Sequence, residues 1–302
     1  MFVPVPKNNA LAALLIVIAT AFIAATTLMA KALGTDALGP PLPAVQISHG
    51  RFLFAFIALG TVAAIVRPVL ERPHWRLHIA RTSFGWAGVT LMFASVAFIP
   101  LADATAISFL NPVFSMMLAI PLLGERVGPV RWSAAACALV GAAVLLRPTS
   151  QSFEPAALLA LGAAVVMGLE LIFIKKLAGR EKPFQILLVN NLIGLAIATT
   201  AVLPFWQAPT PAQWATLAAL GACMAMAQTC FVNAMARADA SFVAPFSYST
   251  LVFAALYDAA IFSVRPDGVS VLGAGIILCG AIWLALREAR VKKQLPRPPT
   301  AV

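Results

Sequence analysis

The stretch LLVNNLIGLAIATTAV, residues 187–202, carries no charge and lies inside a longer apolar run over residues 185–205. A helix needs about 20 apolar residues to cross the hydrocarbon core of a bilayer. The chain repeats this pattern, since 61% of its 302 residues are hydrophobic and only 11% are charged. Soluble domains are nearer 45–50% apolar and about 25% charged. The composition therefore excludes intrinsic disorder and argues against a soluble enzyme.

Ten such apolar runs can be placed along the chain, at residues 10–33, 44–66, 79–99, 103–122, 129–147, 155–176, 185–205, 212–235, 240–263 and 269–287. Pro and Gly mark many of the short connections, as in Gly39-Pro40-Pro41, because both residues interrupt helices. Backbone groups have no water partner in lipid, so only helices or closed barrels can span it. The runs are too long and too uniformly apolar for barrel strands. The sequence predicts an all-α integral membrane protein with ten transmembrane helices.

The positive charges collect on one side of these runs when successive runs alternate in direction. All but four of the 21 Lys and Arg residues lie on that side. The exceptions are Arg147 and Arg265 on the other side, and Lys31 and Arg51 inside runs. By the positive-inside rule, both termini then face the cytoplasm of a bacterial-type inner membrane. The net charge of +10 is therefore interpreted as an orientation signal and a contact with anionic lipid, not as nucleic-acid binding.

Two parts of the chain resemble each other, which indicates an internal repeat. The tetrapeptide Ala-Asp-Ala-Thr at 102–105 matches Ala-Asp-Ala-Ser at 238–241, and each opens a span. This offset divides the chain into residues 1–150 and 151–302, with five spans each. Because five is odd, the second half is inserted upside down, and such inverted repeats are typical of secondary transporters with a substrate site at the midplane. The alternative is a chance match in an Ala-rich sequence.

The stretch Pro100-Leu-Ala-Asp-Ala-Thr-Ala-Ile-Ser-Phe-Leu-Asn-Pro112, followed by Leu123-Gly124-Glu125-Arg126, resembles the EamA branch of the drug/metabolite transporter superfamily. The second half departs from the pattern, because Phe262-Ser263-Val264 stands where a second Leu-Gly-Glu would be expected. The resemblance implies an inner-membrane carrier, often an exporter of amino acids, other metabolites or cationic toxicants. It is greatest to aromatic amino acid exporters that also pass methyl viologen. It also implies a central cavity lined mainly by spans three, four, eight and nine, with contributions from spans one, two, six and seven. Spans five and ten would pack at the periphery.

Charged and titratable groups inside the spans are candidate functional residues, because such groups are costly in a bilayer. Arg51 could bind a substrate carboxylate or pair with Glu170, and His49 could carry a proton or pack in the core. Glu170 could bind a substrate ammonium, a cation or a proton, or it could form an ion pair with Lys175 or Arg51. Asp258 is a second candidate for ion coupling, or it is a solvated group at the outer edge.

Pro112 and Pro245 lie just past the starts of the fourth and ninth spans and are predicted hinges. A proline removes one backbone donor and frees a carbonyl, which can bend a helix and present backbone dipoles to a substrate. Four polar residues accompany these prolines and are candidate substrate contacts: Ser108, Asn111, Ser247 and Tyr248. The alternative is that Ser and Asn side chains join neighbouring helices by hydrogen bonds.

Aromatic and amide side chains on spans three, seven and eight are the remaining candidate substrate contacts: Trp86, Phe93, Asn190 and Gln228. Aromatic rings can stack on an aromatic or cationic substrate. The alternative is that these side chains pack between helices or face lipid.

These features predict a secondary transporter that exports aromatic or other hydrophobic amino acids, with cationic toxicants as further substrates, by alternating access around a midplane cavity. The sequence has no Walker loop and no catalytic or metal-binding motif, so neither enzyme activity nor a cofactor or metal is expected. A polytopic membrane enzyme or a channel is the alternative. The expected partners are a small-molecule substrate and the lipid bilayer, and small residues in spans five and ten allow a homodimer.

Overall fold

The computed structural model describes residues 8–123, 128–146, 155–177, 180–237 and 246–294, and the regular elements within them are helices. The eleven α-helices of these residues are α1 Asn9–Gly34, α2 Ala44–Val66, α3 Trp75–Val96, α4 Leu101–Ser108, α5 Asn111–Leu123, α6 Pro129–Leu146, α7 Ala157–Leu177, α8 Pro183–Val202, α9 Pro211–Arg237, α10 Ser249–Ile261 and α11 Gly268–Gln294. Two single 3₁₀ turns, Asp36–Leu38 and Leu203–Phe205, follow α1 and α8. The prediction of an all-helical chain is confirmed for the described residues.

Six of the described helical segments are long and apolar enough to cross a bilayer: Asn9–Gly34, Ala44–Val66, Leu101–Leu122, Ala157–Ile174, Pro183–Phe205 and Pro211–Ala234. Three shorter apolar helices accompany them, at Ala135–Val144, Ser249–Ile261 and Gly268–Gly280. An integral membrane protein is the architecture that this set of helices fits.

Local sequence signals account for where several helices begin. Asn8 caps α1, since its side-chain oxygen accepts the backbone N–H of Leu11 at 2.9 Å. Pro183 and Pro211 open α8 and α9, where the missing proline N–H has no helical partner to lose. Arg67 closes α2 in the left-handed region, with φ of 49°.

The predicted fourth span is interrupted near its middle. Helix α4 ends at Ser108, Phe109 and Leu110 form a turn, and α5 begins at Asn111. Pro112 is the second residue of α5, so it follows the interruption, at a position where a helix has no use for a backbone donor. The ninth span has a similar turn at Tyr248, before α10, but Pro245 lies outside the described residues.

The helices pack in a small set of partnerships. Helix α1 lies against α9 and α10, while α7 lies against α3 and α5. Helix α2 packs between α8 and α9, and α6 pairs with α11. The α6–α11 approach is close, because a Cβ on Gly141 would lie 2.8 Å from the backbone oxygen of Gly273. Small residues of these two helices therefore serve a contact within the chain.

The connections between helices gather at two ends of the bundle. The basic end is where α1 begins and where the connections carry Arg72, Arg180 and Lys182. There the backbone N–H of Asn8 donates to the carbonyl of Arg237, the last residue of α9. The opposite end is where α1 finishes and α2 begins.

Candidate functional site

A cavity of about 240 Å³ lies among α1, α3, α4, α5, α7, α9 and the residues around the start of α10. Its wall is mostly apolar, and none of the lining residues that the structure describes is charged. The lining residues are Ile16, Thr20, Ile23, Thr26, Thr27, Val89, Met92, Phe93, Thr105, Ser108, Phe109, Asn111, Met167, Met224, Phe231, Ser247 and Thr250. Its volume is just below the about 300–1,000 Å³ of typical small-molecule sites.

The hydroxyl groups of the cavity wall present acceptors more than donors. Thr105 and Ser108 donate to the carbonyls of Leu101 and Thr105, at 2.6 and 2.7 Å. The hydroxyls of Thr26, Thr27 and Thr250 likewise donate to backbone carbonyls three or four residues earlier. A hydroxyl that donates in this way keeps its oxygen lone pairs free to accept. The wall is therefore suited to a ligand with apolar rings and N–H or O–H donors.

Four of the sequence-predicted contacts line this cavity, and a fifth lies beside it. Phe93, Ser108 and Asn111 are in the wall, as is Ser247 before α10. The ring of Tyr248 packs edge-on against the ring of Phe109, with centroids 5.2 Å apart. The predicted grouping of spans three, four, eight and nine around a cavity thus has a geometric counterpart, to which α1 and α7 also contribute.

Arg51, Arg81 and Glu170 form a second feature, which we call the arginine cluster. Arg81 Nε lies 3.5 Å from Glu170 Oε1, and both Arg51 and Arg81 act electrostatically on Glu170. Arg51 is 5% exposed, and its Nε and Nη1 atoms are buried without a hydrogen-bond partner. The Arg51 guanidinium lies over the Phe52 ring, 4.5 Å from its centroid. The carboxylate of Glu170 thus faces cations of the chain itself.

Gly85 makes room for the arginine cluster. A Cβ at this position of α3 would lie 2.8 Å from the Glu170 carboxylate, so only glycine allows this approach without a shift. One turn farther along α3, Gly88 allows an equally close approach, since a Cβ there would lie 2.7 Å from Met167 Cγ. Met167 lines the cavity and precedes Glu170 by three residues, nearly one turn of α7. The arginine cluster therefore lies next to the cavity, about one helical turn away along the contact between α3 and α7.

Asp258 forms a buried ion pair with Lys31, which joins α10 to α1. Asp258 is 1% exposed, so it is not the solvated group that the sequence allowed as an alternative. Its Oδ1 accepts from Lys31 Nζ, and its Oδ2 accepts the backbone N–H of Leu101 at 2.8 Å. The Lys31 ammonium also lies 4.7 Å from the centroid of the Phe262 ring. This pair connects α1, α4 and α10 near the opposite end.

The other predicted side chains lie outside the cavity lining. Asn190 accepts from Thr82 at 3.1 Å, which supports its alternative role of joining helices. Gln228 likewise accepts from Asn191 at 3.3 Å. The ring of His49 packs edge-on against Trp206, with centroids 5.9 Å apart.

Trp86 has a buried indole nitrogen without a hydrogen-bond partner. A buried donor without an acceptor costs free energy, so this nitrogen could serve a ligand acceptor. No contact places Trp86 in the cavity lining.

Glu181 organises a polar cluster at the basic end, which we call the Glu181 cluster. The backbone N–H and Nδ1 of His74 lie 2.7 and 2.9 Å from Glu181 Oε1. His78 Nε2 and Gln185 Nε2 lie 2.9 and 2.7 Å from Oε2. Burial raises the pKa of Glu181, but hydrogen bonds from these groups prevail and lower it to about 2. The carboxylate thus ties the α2–α3 connection to the α7–α8 connection.

A second set of hydrogen bonds joins the first and the second half of the chain at the opposite end. Gln46 Nε2 donates to the carbonyl of Gln207 at 2.6 Å, and the backbone N–H of Gln207 donates back to Gln46 Oε1 at 3.0 Å. Gln213 Nε2 donates to the carbonyl of Pro40 at 2.8 Å. Both ends of the bundle are therefore bridged between the first and the second half of the chain.

Sequence reasoning did not identify Lys31, Arg81 and Glu181 as partners of these clusters. The charge pattern counts Arg81 among the cations at the basic side, yet His74, His78, Arg81 and Gly85 follow a spacing of three and four residues, which places them on one helix face. This spacing was the available signal for a polar face on α3. No comparable signal links Lys31 to Asp258, which are 227 residues apart.

Comparison with known proteins identifies the family of this fold. The model of the EamA-like transporter family matches residues 10–147 and 154–286. A riboflavin transporter of Rhizobium johnstonii is 31% identical over 260 residues, which cover 83% of this chain and 84% of that protein. An S-adenosylmethionine uptake transporter of Rickettsia bellii is 27% identical, with 88% and 90% covered.

Two further matches are more distant. A pseudopaline exporter of Pseudomonas aeruginosa is 25% identical, with 81% of this chain and 87% of that protein covered. A crystal structure superposes with a TM-score of 0.62 at 22% identity, with 93% of this chain and 98% of the other covered, which shows a shared fold. The three relatives from Rhizobium, Rickettsia and Pseudomonas are named as transporters of different substrates, and none of them is named as an aromatic amino acid exporter. The family match covers most of the sequence, and the chain belongs to the EamA-like transporter family.

Proposed function

We propose that the chain is a secondary transporter that moves a small amphipathic metabolite with an aromatic ring through the central cavity. The observation that carries this proposal is the uncharged cavity, whose wall combines aromatic rings, methionines and hydroxyl acceptors. Methionine and aromatic side chains adapt to flat apolar ligands, and the hydroxyl oxygens would accept hydrogen bonds from ligand N–H or O–H groups.

Ten membrane crossings in two inverted halves, residues 1–150 and 151–302, are part of the proposal. The partnerships of the helices support it. If spans one to five correspond to spans six to ten, the α1–α9 contact corresponds to the α7–α3 contact. The contact of α1 with α10 then corresponds to that of α7 with α5, and α6–α11 corresponds to itself. The two separate stretches matched by the family model have nearly the same boundary.

The basic end is proposed to face the cytoplasm, with both chain termini on that side. A single cysteine introduced at Arg72 should then react with a membrane-impermeant maleimide only after cells are lysed. A cysteine at Arg265, on the opposite end, should react in intact cells. The reverse labelling pattern would contradict the proposed orientation.

Alternating access is the proposed mechanism, because hydrogen bonds join the two halves at both ends of the bundle. The Glu181 cluster would open when the cavity faces the basic end, and the Gln46–Gln207 contact would open when it faces the opposite end. A carrier needs two such contacts that can break in turn, each weak enough to be replaced by water. A homodimer stays a prediction. The small residues of α6 and α11, which could have formed a dimer contact, pack against each other within the chain.

The proposed substrate class follows from the cavity and is consistent with the relatives. Riboflavin and S-adenosylmethionine both contain a flat nitrogen heterocycle, and aromatic amino acids share the flat ring. The cavity wall suits such a ring, with Phe93, Phe109 and Phe231 in it. Export of aromatic amino acids is kept as one member of this class and not as the expected substrate.

The test is transport in proteoliposomes with a panel of radiolabelled probes: riboflavin, S-adenosylmethionine, L-tryptophan and methyl viologen. We expect saturable uptake of at least one probe. Phe231→Ala should raise its KM about tenfold, because the ring lines the cavity yet is exposed enough for its removal to spare the packing. Phe205→Ala, at an exposed ring outside the cavity lining, is the matched control. Absence of saturable uptake for every probe would overturn the proposal.

A further inference from the structure

The arginine cluster carries one more positive charge than negative charge among the side chains that the structure describes. Two guanidinium groups, Arg51 and Arg81, face the single carboxylate of Glu170. An unbalanced charge inside a bundle of apolar helices is costly, and such groups are normally paired. A binding partner with one negative charge would balance this cluster.

The arginine cluster also lacks hydrogen-bond acceptors, just as it lacks negative charge. Arg51 Nε and Nη1 are both donors, both are buried, and neither has an acceptor. These two nitrogens lie on different edges of one planar guanidinium, so each needs its own acceptor, and a carboxylate oxygen can supply one of them. Arg81 Nη1 has only a long contact, 3.4 Å, to the carbonyl of Ile186. The missing groups are therefore acceptors, and they are missing where positive charge is in excess.

The position of the cluster connects it to the transport cavity. Met167 lines the cavity, and Glu170 lies nearly one turn farther along the same helix. The Glu170 side chain is 19% exposed, whereas Arg51 is almost fully buried, so the cluster is closed around Arg51 but accessible at Glu170. The flexible Met167 side chain belongs both to the cavity wall and to the α3–α7 contact beside the cluster.

We propose that Arg51 and Arg81 form an anion site that binds the carboxylate of an aromatic substrate whose ring occupies the cavity. This inference rests on the proposed transport function and specifies its substrate class as a carboxylic acid or an amino acid zwitterion. Glu170 balances one of the two arginines in the empty site and competes with the incoming carboxylate for them. Removing its charge therefore strengthens binding, while removing Arg51 weakens it.

The experiment measures binding of three probes that share an indole ring to the purified full-length protein in lipid nanodiscs, by isothermal titration calorimetry. Indole-3-propionate carries only the carboxylate, tryptamine carries only the ammonium, and L-tryptophan carries both. We expect Arg51→Gln to weaken binding of indole-3-propionate and of L-tryptophan by about 10- to 100-fold, as expected for the loss of charged hydrogen bonds. Binding of tryptamine should stay within twofold of the parent. Arg76→Gln, at an exposed arginine of the same α3 helix, should match the parent for all three probes.

Glu170→Gln should change the affinity for indole-3-propionate in the opposite direction. This variant tests the anion site even if Arg51→Gln does not fold. We expect it to bind indole-3-propionate several-fold more tightly than the parent. A purely structural role would weaken binding in both variants, and that result would overturn the inference. Unchanged binding of the acid in Arg51→Gln, or no binding of the acid to the parent, would overturn it as well.

The same measurement separates a soluble substrate from a lipid headgroup. In nanodiscs of phosphatidylcholine alone and of phosphatidylcholine mixed with phosphatidylglycerol, a substrate site gives equal affinity for indole-3-propionate. Loss of acid binding in the anionic lipid would assign the arginines to a headgroup and overturn the inference. If the acid binds as expected but no probe is transported, the transport proposal fails alone. If a probe is transported but the acid does not bind, only the anion site fails.

Discussion

The Lys31–Asp258 pair and the arginine cluster are both buried ionic groups, but they differ in how completely they are paired. Lys31 and Asp258 carry one charge of each sign, and both carboxylate oxygens of Asp258 have a donor. Arg51, Arg81 and Glu170 carry two positive charges and one negative charge, and two nitrogens of Arg51 have no acceptor. One site is complete within the chain, and the other, by our proposal, is completed by a further anion.

This difference indicates different roles for groups that look alike in the sequence. A balanced pair that also accepts a backbone N–H ties three helices together and offers nothing to a ligand. An unbalanced group lowers the stability of the empty protein, and this free energy is regained when an anion binds. Stability and binding measurements on the same variants therefore test the comparison directly.

The largest expected effect is on Lys31 and Asp258. Lys31→Met should lower the free energy of unfolding by about 3–5 kcal/mol, because it leaves the Asp258 carboxylate buried with only the Leu101 N–H as a partner. The double variant Lys31→Met/Asp258→Met should recover most of this loss, since no unpaired charge remains. Thermal unfolding in detergent, followed by intrinsic fluorescence, measures both. Equal loss in the single and the double variant would show that the pair is not the source of the stability.

A smaller effect is expected for Glu181, which resembles the balanced pair because four donors satisfy its carboxylate. Glu181→Gln should cost on the order of 2–3 kcal/mol, by 1.36 kcal/mol per pKa unit with a discount for solvent near the helix ends. The folded pKa, about 2, is below the ordinary value of 4.5, so this stabilisation is complete above about pH 4.5 and is lost as pH falls toward 2. Thermal unfolding between pH 7 and pH 3 should show a steeper loss for the parent than for Glu181→Gln. Glu71→Gln, whose carboxylate is 57% exposed beside Lys182, is the control and should retain the slope of the parent.

At Arg51, replacing the buried cation by methionine should not lower the free energy of unfolding, in contrast to Lys31→Met. Arg51→Met removes an uncompensated charge, so the free energy of unfolding should stay unchanged or rise by about 1–2 kcal/mol. Lys31→Met is the matched comparison, because it also converts one buried cation to methionine. A loss for Arg51→Met as large as that for Lys31→Met would mean that Arg51 is fully paired, and the contrast between the two sites would disappear.

The sequence predicted the all-helical character of the described residues, because apolar run length is a local property that a bilayer imposes on each segment. The predicted fourth span, 103–122, is present as α4 and α5, although the interruption falls at Phe109 and Leu110, before Pro112. Proline only indicates where a helix tolerates a missing donor, so it predicted the region of the interruption and not its position.

The sequence predicted the candidate site less completely, because pairing between distant segments leaves no local trace. Asp258 and Glu170 were recognised as costly groups, but their partners Lys31 and Arg81 depend on which helices lie together. Phe93, Ser108, Asn111 and Ser247 do line the cavity. The sequence singled out Phe93 as an aromatic residue of the third span and the other three as polar neighbours of Pro112 and Pro245. The threonines of α1, which also line the cavity, were missed since an apolar first span looks the same whether it faces lipid or a cavity.

The smallest expected effect is at Gly85, where a methyl group disturbs only the arginine cluster. In a helix, Gly→Ala raises stability by about 0.5–1 kcal/mol when the added Cβ meets nothing. Gly60→Ala on α2 is such a position, because no atom lies within 4 Å of the added Cβ. At Gly85 the Cβ would lie 2.8 Å from the Glu170 carboxylate, which can swing away because it is the end of a flexible side chain. Gly85→Ala should therefore gain less stability than Gly60→Ala and should bind indole-3-propionate more tightly than the parent, as Glu170→Gln does to a greater extent. Equal stability gains for the two alanine variants, together with unchanged acid binding, would show that the position of the Glu170 carboxylate does not control the two arginines.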